Sequence, residues 1–187
     1  MKRMILFCAI FGMAAAAIMA APMTPDPAKP QVATFAGGNF WSMQSVFEKV
    51  YGVMTAVSGY TGGTTRKPNY GNFAAAGHVE AVQVTWDPSR VSYAELLDVY
   101  WRHTDPTDAH GQFTDKGAQY RPIVFWQDDS QRTAAEASKA ALGKSKKFSV
   151  PIVTEIRKAE PFYAAEDAQQ EYAAKNAAAY QAYFDDS

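Results

Sequence analysis

Cysteine is nearly missing: the 187 residues hold one, Cys8, close to the N-terminus. Beyond it the chain has no thiol with which to close a disulfide, bind a metal as thiolate or attack a substrate through sulfur. An excess of one charge is missing too. The 18 basic and 19 acidic residues leave a formal charge of −1, with no basic surplus or charge block of the kind that marks nucleic-acid-binding chains or charged tails. Long apolar runs are absent with one exception, Met4 to Ala20, which follows Lys2 and Arg3 and closes on the small residues Ala20 and Ala21. A basic start, an apolar middle and a small-residue end is the layout of a secretory signal peptide. A membrane span needs about 20 apolar residues, and this Ala-rich run is marginal and is followed by Pro22, Pro25, Pro27 and Pro30.

These features predict a signal peptide over residues 1–21, a Pro-rich extended leader over 22–31 and one domain over 32–187. The product is expected to be exported, periplasmic or secreted, with no stable membrane insertion after cleavage. Cys8 lies inside the apolar stretch without small residues before it, so it belongs to the signal and not to a lipid attachment site. Setting Lys2 and Arg3 aside from the 18 basic residues leaves 16 against 19 acidic, a formal charge of −3 for the domain.

Val32, Thr34 and Phe35 predict a short strand that ends at Gly37-Gly38. Phe40, Trp41, Met43, Val46, Phe47 and Val50 then recur at helical spacing, with Asn39 at the N-cap position. A strand over Val53 to Gly59 leads into a glycine-rich loop reaching about Gly77, and His78 to Trp86 alternates as a strand ended by Asp87-Pro88. Ser92 and Glu95 form a capping box before a helix whose apolar face holds Leu96, Leu97, Tyr100 and Trp101. The polar stretch from His103 to Gln119 has no clear period, and a segment of that length is often functional. Further elements are expected at Pro122–Trp126 (strand), Ser130–Lys146 (helix), Pro151–Ile156 (strand) and Ala165 to about Phe184 (helix). This order implies an α+β sandwich, helices packed on a mixed sheet.

An exposed side chain at the start of a helix, between glycines and two large aromatics, suits an anion or an activated nucleophile. Asparagine has no nucleophilic or acid–base chemistry, so the plain reading of Asn39 is a helix cap beside core aromatics. Glu80 reads equally as a solvated carboxylate on an alternating strand, Tyr70 and Tyr120 as core-edge tyrosines, and Asp115 as a turn residue. His78 reads as structural. His103, Asp105, Asp108 and His110 share a loop, but their spacing fits no metal-ligand pattern. Gly59-Tyr-Thr-Gly-Gly63 lacks the lysine and spacing of a phosphate-binding loop. No metal and no cofactor are expected.

The motifs carry more in combination. Gly37-Gly-Asn-Phe-Trp-Ser-Met-Gln44, Gly59-Tyr-Thr-Gly-Gly63, Lys67-Pro-Asn-Tyr70, Gly77-His-Val-Glu80, Asp105-Pro-Thr107, Gln112-Phe-Thr-Asp115 with Gln119-Tyr-Arg121, and Pro161-Phe-Tyr-Ala-Ala-Glu-Asp167 occur in this order. Together they resemble the type A peptide methionine sulfoxide reductases over essentially the whole domain. The resemblance implies a ferredoxin-like two-layer sandwich and a reaction in which a cysteine thiolate attacks the sulfur of methionine sulfoxide. Glu80 would be the acid that protonates the departing oxygen, and Tyr70 and Tyr120 the phenols that hydrogen-bond it. Phe40 and Trp41 would enclose the methyl group, with Asp115 orienting the site. A carboxyl beside apolar rings has a raised pKa and can donate, and phenols are preorganised donors.

The departures fall on the reaction itself. Asn39 stands at the position the resemblance assigns to the nucleophile, Ser42 and Thr114 at those of the further redox cysteines, and Gln44 where a glutamate is usual. Hydroxyls are poor nucleophiles toward sulfoxide sulfur and cannot form the disulfide that carries electrons away. The expectation is a pseudoenzyme that binds methionine sulfoxide in peptides or proteins and does not draw on the thioredoxin-like reductant the family uses. The alternative is a chain derived from an active peptide-methionine (S)-S-oxide reductase that repairs oxidised methionine in exported proteins.

Overall fold

Alternate residues of a strand point to opposite faces, and in the first strand both faces are buried. In the computed structural model, which describes residues 29–185, strand β1 spans Gln31–Ala36. Ala33 and Phe35 join a core shared with helices, while Ala36 joins a smaller cluster on the other side. The expected signal peptide and most of the leader lie outside the described residues.

Helix α1 (Phe40–Phe47), strands β2 (Val53–Thr61) and β3 (Val79–Trp86) and helix α2 (Tyr93–Arg102) follow. The polar stretch after α2 folds into a small hairpin, β4 (Gly111–Gln112) with β5 (Asp115–Lys116), and a 3-10 turn at Ala118–Tyr120. Strand β6 (Ile123–Trp126), helix α3 (Asp129–Lys144), strands β7 (Glu155–Lys158) and β8 (Tyr163–Ala164), a 3-10 turn at Asp167–Gln169 and helices α4 (Tyr172–Lys175) and α5 (Ala177–Asp185) complete the order.

One sheet runs β7-β6-β1-β3-β2-β8, with every pair antiparallel except β6 and β7. The set β1, α1, β2, β3, α2, β6 is a split β-α-β-β-α-β unit, the ferredoxin-like arrangement expected. Phe35 sits at its centre: its ring stacks on Phe47 of α1 and on Tyr93 and Tyr100 of α2, with centroids 4.8, 6.2 and 5.5 Å away. Ile123 and Phe125 point to the opposite face, where Ala159 and Phe162 cover them.

The capping box forms as expected, Ser92 and Glu95 each holding the other's backbone N–H. Three expectations change. Residues 151–154 are irregular, and the strand lies at Glu155–Lys158 instead of Pro151–Ile156. Just before β7 the chain is held to the loop after α2 and to the middle of α3, with the amides of Val153 and Thr154 donating to the Pro106 carbonyl and Lys139 to the Thr154 carbonyl. The single Ala-rich helix over Ala165–Phe184 is instead a 3-10 turn, α4 and α5, broken at Glu171, whose φ is 54°. The short strand β8 has no sequence signal of its own and forms because Gly59 lets Phe162 and the Tyr163 carbonyl pack against β2 where a side chain would collide.

Phe35→Ala would leave a cavity among three rings. Its cost is expected at about 3–5 kcal/mol in urea denaturation, without a change in the strand order.

Candidate active site

The end of β1 is fixed first. The Tyr100 hydroxyl donates to the Ala36 carbonyl at 2.9 Å, and the chain then turns at Gly38, whose φ of 82° favours glycine. The Gly38 N–H donates to the Tyr120 carbonyl at 2.9 Å, so the 3-10 turn after β5 is tied to the start of α1. Asn39 is extended, with φ −67° and ψ 127°, and its Oδ1 accepts the Trp41 N–H at 2.8 Å. It is the N-cap its position predicts. The next amide, of Phe40, donates to Glu80 Oε2 at 2.9 Å.

Glu80 lies on β3, opposite Tyr60 of β2. Even-numbered residues of β3 face the helices, with Val82 and Val84 in the main core, whereas Val79 and Ala81 belong to the opposite cluster. Glu80 therefore points under the first turn of α1 and is only 1% exposed, so it is not a solvated carboxylate. Its second oxygen, Oε1, is buried without a hydrogen-bond partner. Burial raises its pKa, the Phe40 amide opposes this and the nearby Asp115 carboxylate adds to it, for a result of about 8. At neutral pH the group is a carboxylic acid with a proton to donate.

The hairpin delivers Asp115. Gln112 and Asp115 pair across it, with Phe113 turning at a φ of 48°. Gly111, at φ 154°, leaves room for the Asp115 carbonyl, 2.1 Å from where a Cβ would stand. The Gln112 side chain holds the preceding loop by accepting the Asp105 N–H and donating to the Asp105 carbonyl. Tyr70, from the long loop after β2, and Tyr120 complete the group. Burial first, then the Glu80 and Asp115 carboxyls, hold both phenols above the usual tyrosine range. Phe40 connects the rings: its centroid is 6.1 Å from Trp41, 5.8 Å from Tyr60 and 6.5 Å from Tyr70, and Trp41 lies nearly parallel to Tyr70 at 6.3 Å.

The structure thus gathers Asn39, Phe40, Trp41, Tyr70, Glu80, Asp115 and Tyr120. Ser42 sits in α1 with its hydroxyl buried and without a partner, and Thr114 is exposed at the hairpin tip beside Asp115. His78 spends its ring nitrogens on the Gly63 N–H and the Thr65 carbonyl, which shapes the glycine-rich loop. The loop carboxylates Asp105 and Asp108 accept from Thr107, and from His110 and Lys116, and serve the turns.

Sequence reasoning missed the segment from Glu166 to Tyr172. Glu166 accepts the Tyr60 hydroxyl and the Tyr70 N–H, both at 2.9 Å. Gln169 accepts the Trp41 indole N–H at 3.0 Å, and the Tyr172 ring stacks on Trp41 with centroids 3.8 Å apart. Gln170 binds both backbone groups of Ser58. The sequence signals were the motif Pro161 to Asp167, which gave Glu166 no role, and Gln169-Gln-Glu-Tyr172, a polar and aromatic interruption in an Ala-rich stretch.

This arrangement can present protonated donors to a small polar group held beside aromatic rings. Residues 31–186 match the Peptide methionine sulfoxide reductase family. The chain belongs to that family. A peptide methionine sulfoxide reductase MsrA from Ligilactobacillus salivarius (strain UCC118) is 51% identical over 146 residues, 77% of this chain and 85% of that protein. Among solved structures, reduced Mxr1 from Saccharomyces cerevisiae has a TM-score of 0.75 at 29% identity, covering 82% of this chain and 89% of that one. Methionine sulfoxide reductase A of Corynebacterium diphtheriae has a TM-score of 0.70 at 26% identity, covering 82% and 83%. The methionine sulfoxide reductase family acts on methionine sulfoxide, a neutral oxide with a strong acceptor oxygen and a methyl group.

Glu80 also sets a pH signature for stability. Its folded pKa of about 8 lies above the ordinary value of 4.5, so the folded chain holds the extra proton between these limits. Its contribution is intact below the lower limit and is lost as pH rises toward the upper one. The stability advantage of Glu80→Gln over the parent should therefore grow by a few kcal/mol across this window and then level off. Urea denaturation at a series of pH values checks it.

Proposed function

We propose that this chain is an exported methionine sulfoxide-binding protein that does not reduce its ligand. The observation that carries the reading is a contrast. The groups suited to hold a methyl sulfoxide converge at the start of α1, while no cysteine follows Cys8 anywhere in the chain. In this reading the sulfoxide oxygen accepts from the Glu80 carboxyl proton and from the hydroxyls of Tyr70 and Tyr120. The methyl group rests against Phe40 and Trp41, and Asp115 orients the phenols.

Reduction needs two electrons from a thiol, with a sulfur–sulfur bond formed when the second thiol resolves the first. Asn39, Ser42 and Thr114 supply neither the electrons nor the disulfide. Asn39 keeps instead a structural task, capping α1, and a thioredoxin-like reductant finds nothing on this chain to reduce. Export rests on the layout of residues 1–21.

The alternative, an active peptide-methionine (S)-S-oxide reductase, draws support from relatives named as reductases at about half identity. It needs a sulfur nucleophile from elsewhere. Calorimetric titration with a methionine sulfoxide peptide, beside a turnover assay with dithiothreitol or thioredoxin, separates the two. The expected outcome is saturable heat and no thiol-dependent turnover. Turnover above the protein-free control would sink the pseudoenzyme, and absence of heat at millimolar peptide would remove the binding role. Asn39→Cys with Thr114→Cys is expected to bring thiol-dependent reduction into the same pocket.

A further inference from the structure

Glu80 Oε1 is a carboxyl oxygen buried without a hydrogen-bond partner, although its twin is held by the Phe40 amide. Such an atom is costly to bury unless a proton or a cation meets it. Its surroundings favour positive charge. Phe40 joins the rings of Trp41, Tyr60 and Tyr70 into one aromatic patch, and ring faces are the negative side of the aromatic quadrupole. Asp115 adds a second carboxyl, and no basic side chain is among the groups that shift Glu80.

We propose that this pocket also binds methylsulfonium cations, the S-alkylated counterpart of a methionine side chain, with ionised Glu80 as counter-ion and the rings of Phe40, Trp41 and Tyr70 against the methyl groups. The inference rests on the sulfoxide-pocket reading above. A sulfonium and a sulfoxide share a pyramidal, three-bonded sulfur, and they differ in replacing an acceptor oxygen by a methyl group that carries positive charge. The oxide needs the acid form of Glu80 and the cation needs its carboxylate. Cation–aromatic attraction then adds to the ion pair, as in aromatic cages for quaternary ammonium groups.

Asn39 makes this possible. A thiolate in its place would take a methyl group, forming a carbon–sulfur bond as the sulfonium carbon–sulfur bond broke and left a neutral thioether. The asparagine amide is no such nucleophile, and its oxygen is engaged with the Trp41 N–H. The positive end of the α1 dipole opposes a cation, but the first two amides of α1 are already taken by Asn39 and Glu80.

The groups facing Glu80 are Tyr60 from β2, Tyr70 from the loop, Asp115 from β5 and Tyr120 from the 3-10 turn. Just before β3, His78 is bonded to Gly63 and Thr65. Burial keeps the three phenols above their ordinary range, so Glu80, at about 8, is the group that changes charge between pH 7 and 9. The two ligands should then show opposite pH dependence.

The test is calorimetric titration of the full protein with matched peptides carrying S-methylmethionine, methionine sulfoxide or norleucine. From pH 7 to pH 9, sulfonium affinity should rise about tenfold and sulfoxide affinity fall about tenfold, following the ionised and protonated fractions of Glu80. Glu80→Gln, whose amide can still accept the Phe40 N–H but carries no charge at any pH, should lose the sulfonium by tenfold or more and flatten both pH profiles. Sulfoxide binding without sulfonium binding, or sulfonium affinity unchanged in Glu80→Gln or equal to that of norleucine, overturns this inference and leaves the pocket reading standing. If neither peptide binds, the pocket reading falls and this inference with it.

Discussion

The hydrogen bond between the Phe40 amide and Glu80 is the constraint around which the site is organised. It joins the start of a helix to the middle of the sheet, and it does so with a side chain that would otherwise avoid the interior. Glu80 is buried because β3 is a central strand, covered by helices on one face and by Ala159 and Phe162 on the other. Its acid form follows from that placement, since ionisation in such a position loses more hydration than a single amide returns. The same bond orients the first turn of α1, and with it Phe40 and Trp41. The contact sets the geometry, and burial, which the amide only partly offsets, sets the protonation.

A second constraint acts from the far end of the chain. Gln44 is buried, and both ends of its amide are used: its nitrogen donates to the Ala56 carbonyl and to Gln170, while its oxygen accepts the Ser58 hydroxyl and the Glu171 N–H. A glutamate in its place would keep the acceptor bonds and lose the donor ones, leaving a carboxylate against the Ala56 carbonyl. The neutral amide is therefore matched to Gln170 and to the backbone around it. By pinning Gln170 and Glu171 it also sets Tyr172 on the face of Trp41. The aromatic wall is held from two sides, by Tyr70 and by Tyr172, and none of these contacts involves sulfur.

Much of this was legible in the sequence because the signals were local. Asn39 caps α1 as its position between Gly38 and Phe40 predicts, and Ser92 with Glu95 closes its box. The resemblance that the ordered motifs carry implies one site for Tyr70, Glu80, Asp115 and Tyr120, although strand alternation alone makes Glu80 an ordinary solvated residue. What failed was everything decided by distant partners. Residues 165–184 read as one helix because alanine favours helix throughout, yet Gln170 must reach Ser58 on β2 and Glu171 turns left-handed to allow it. Strand β7 starts four residues and ends two residues beyond the expected span because the chain before it is anchored to Pro106 and Lys139, contacts that no periodicity announces. Tyr172 went unnoticed for the same reason: an aromatic in an Ala-rich segment carries no sign of the ring it will cover.

Recognition and redox chemistry separate cleanly in such a design. The donors and rings that suit a methyl sulfoxide are positioned by backbone amides, by the sheet register and by the Gln44–Gln170 clamp, all of which survive without a thiol. The cap at position 39 illustrates the independence. An asparagine there contributes about 1 kcal/mol of helix stability relative to an uncapped residue, and its oxygen points back to the Trp41 amide instead of outward as a nucleophile would. With asparagine at this position the helix start is capped and the acid at Glu80 is buried. What holds this site together is amide, carboxyl and ring contacts, and the Glu80 carboxyl at its centre keeps one oxygen on the Phe40 amide and the other without a partner.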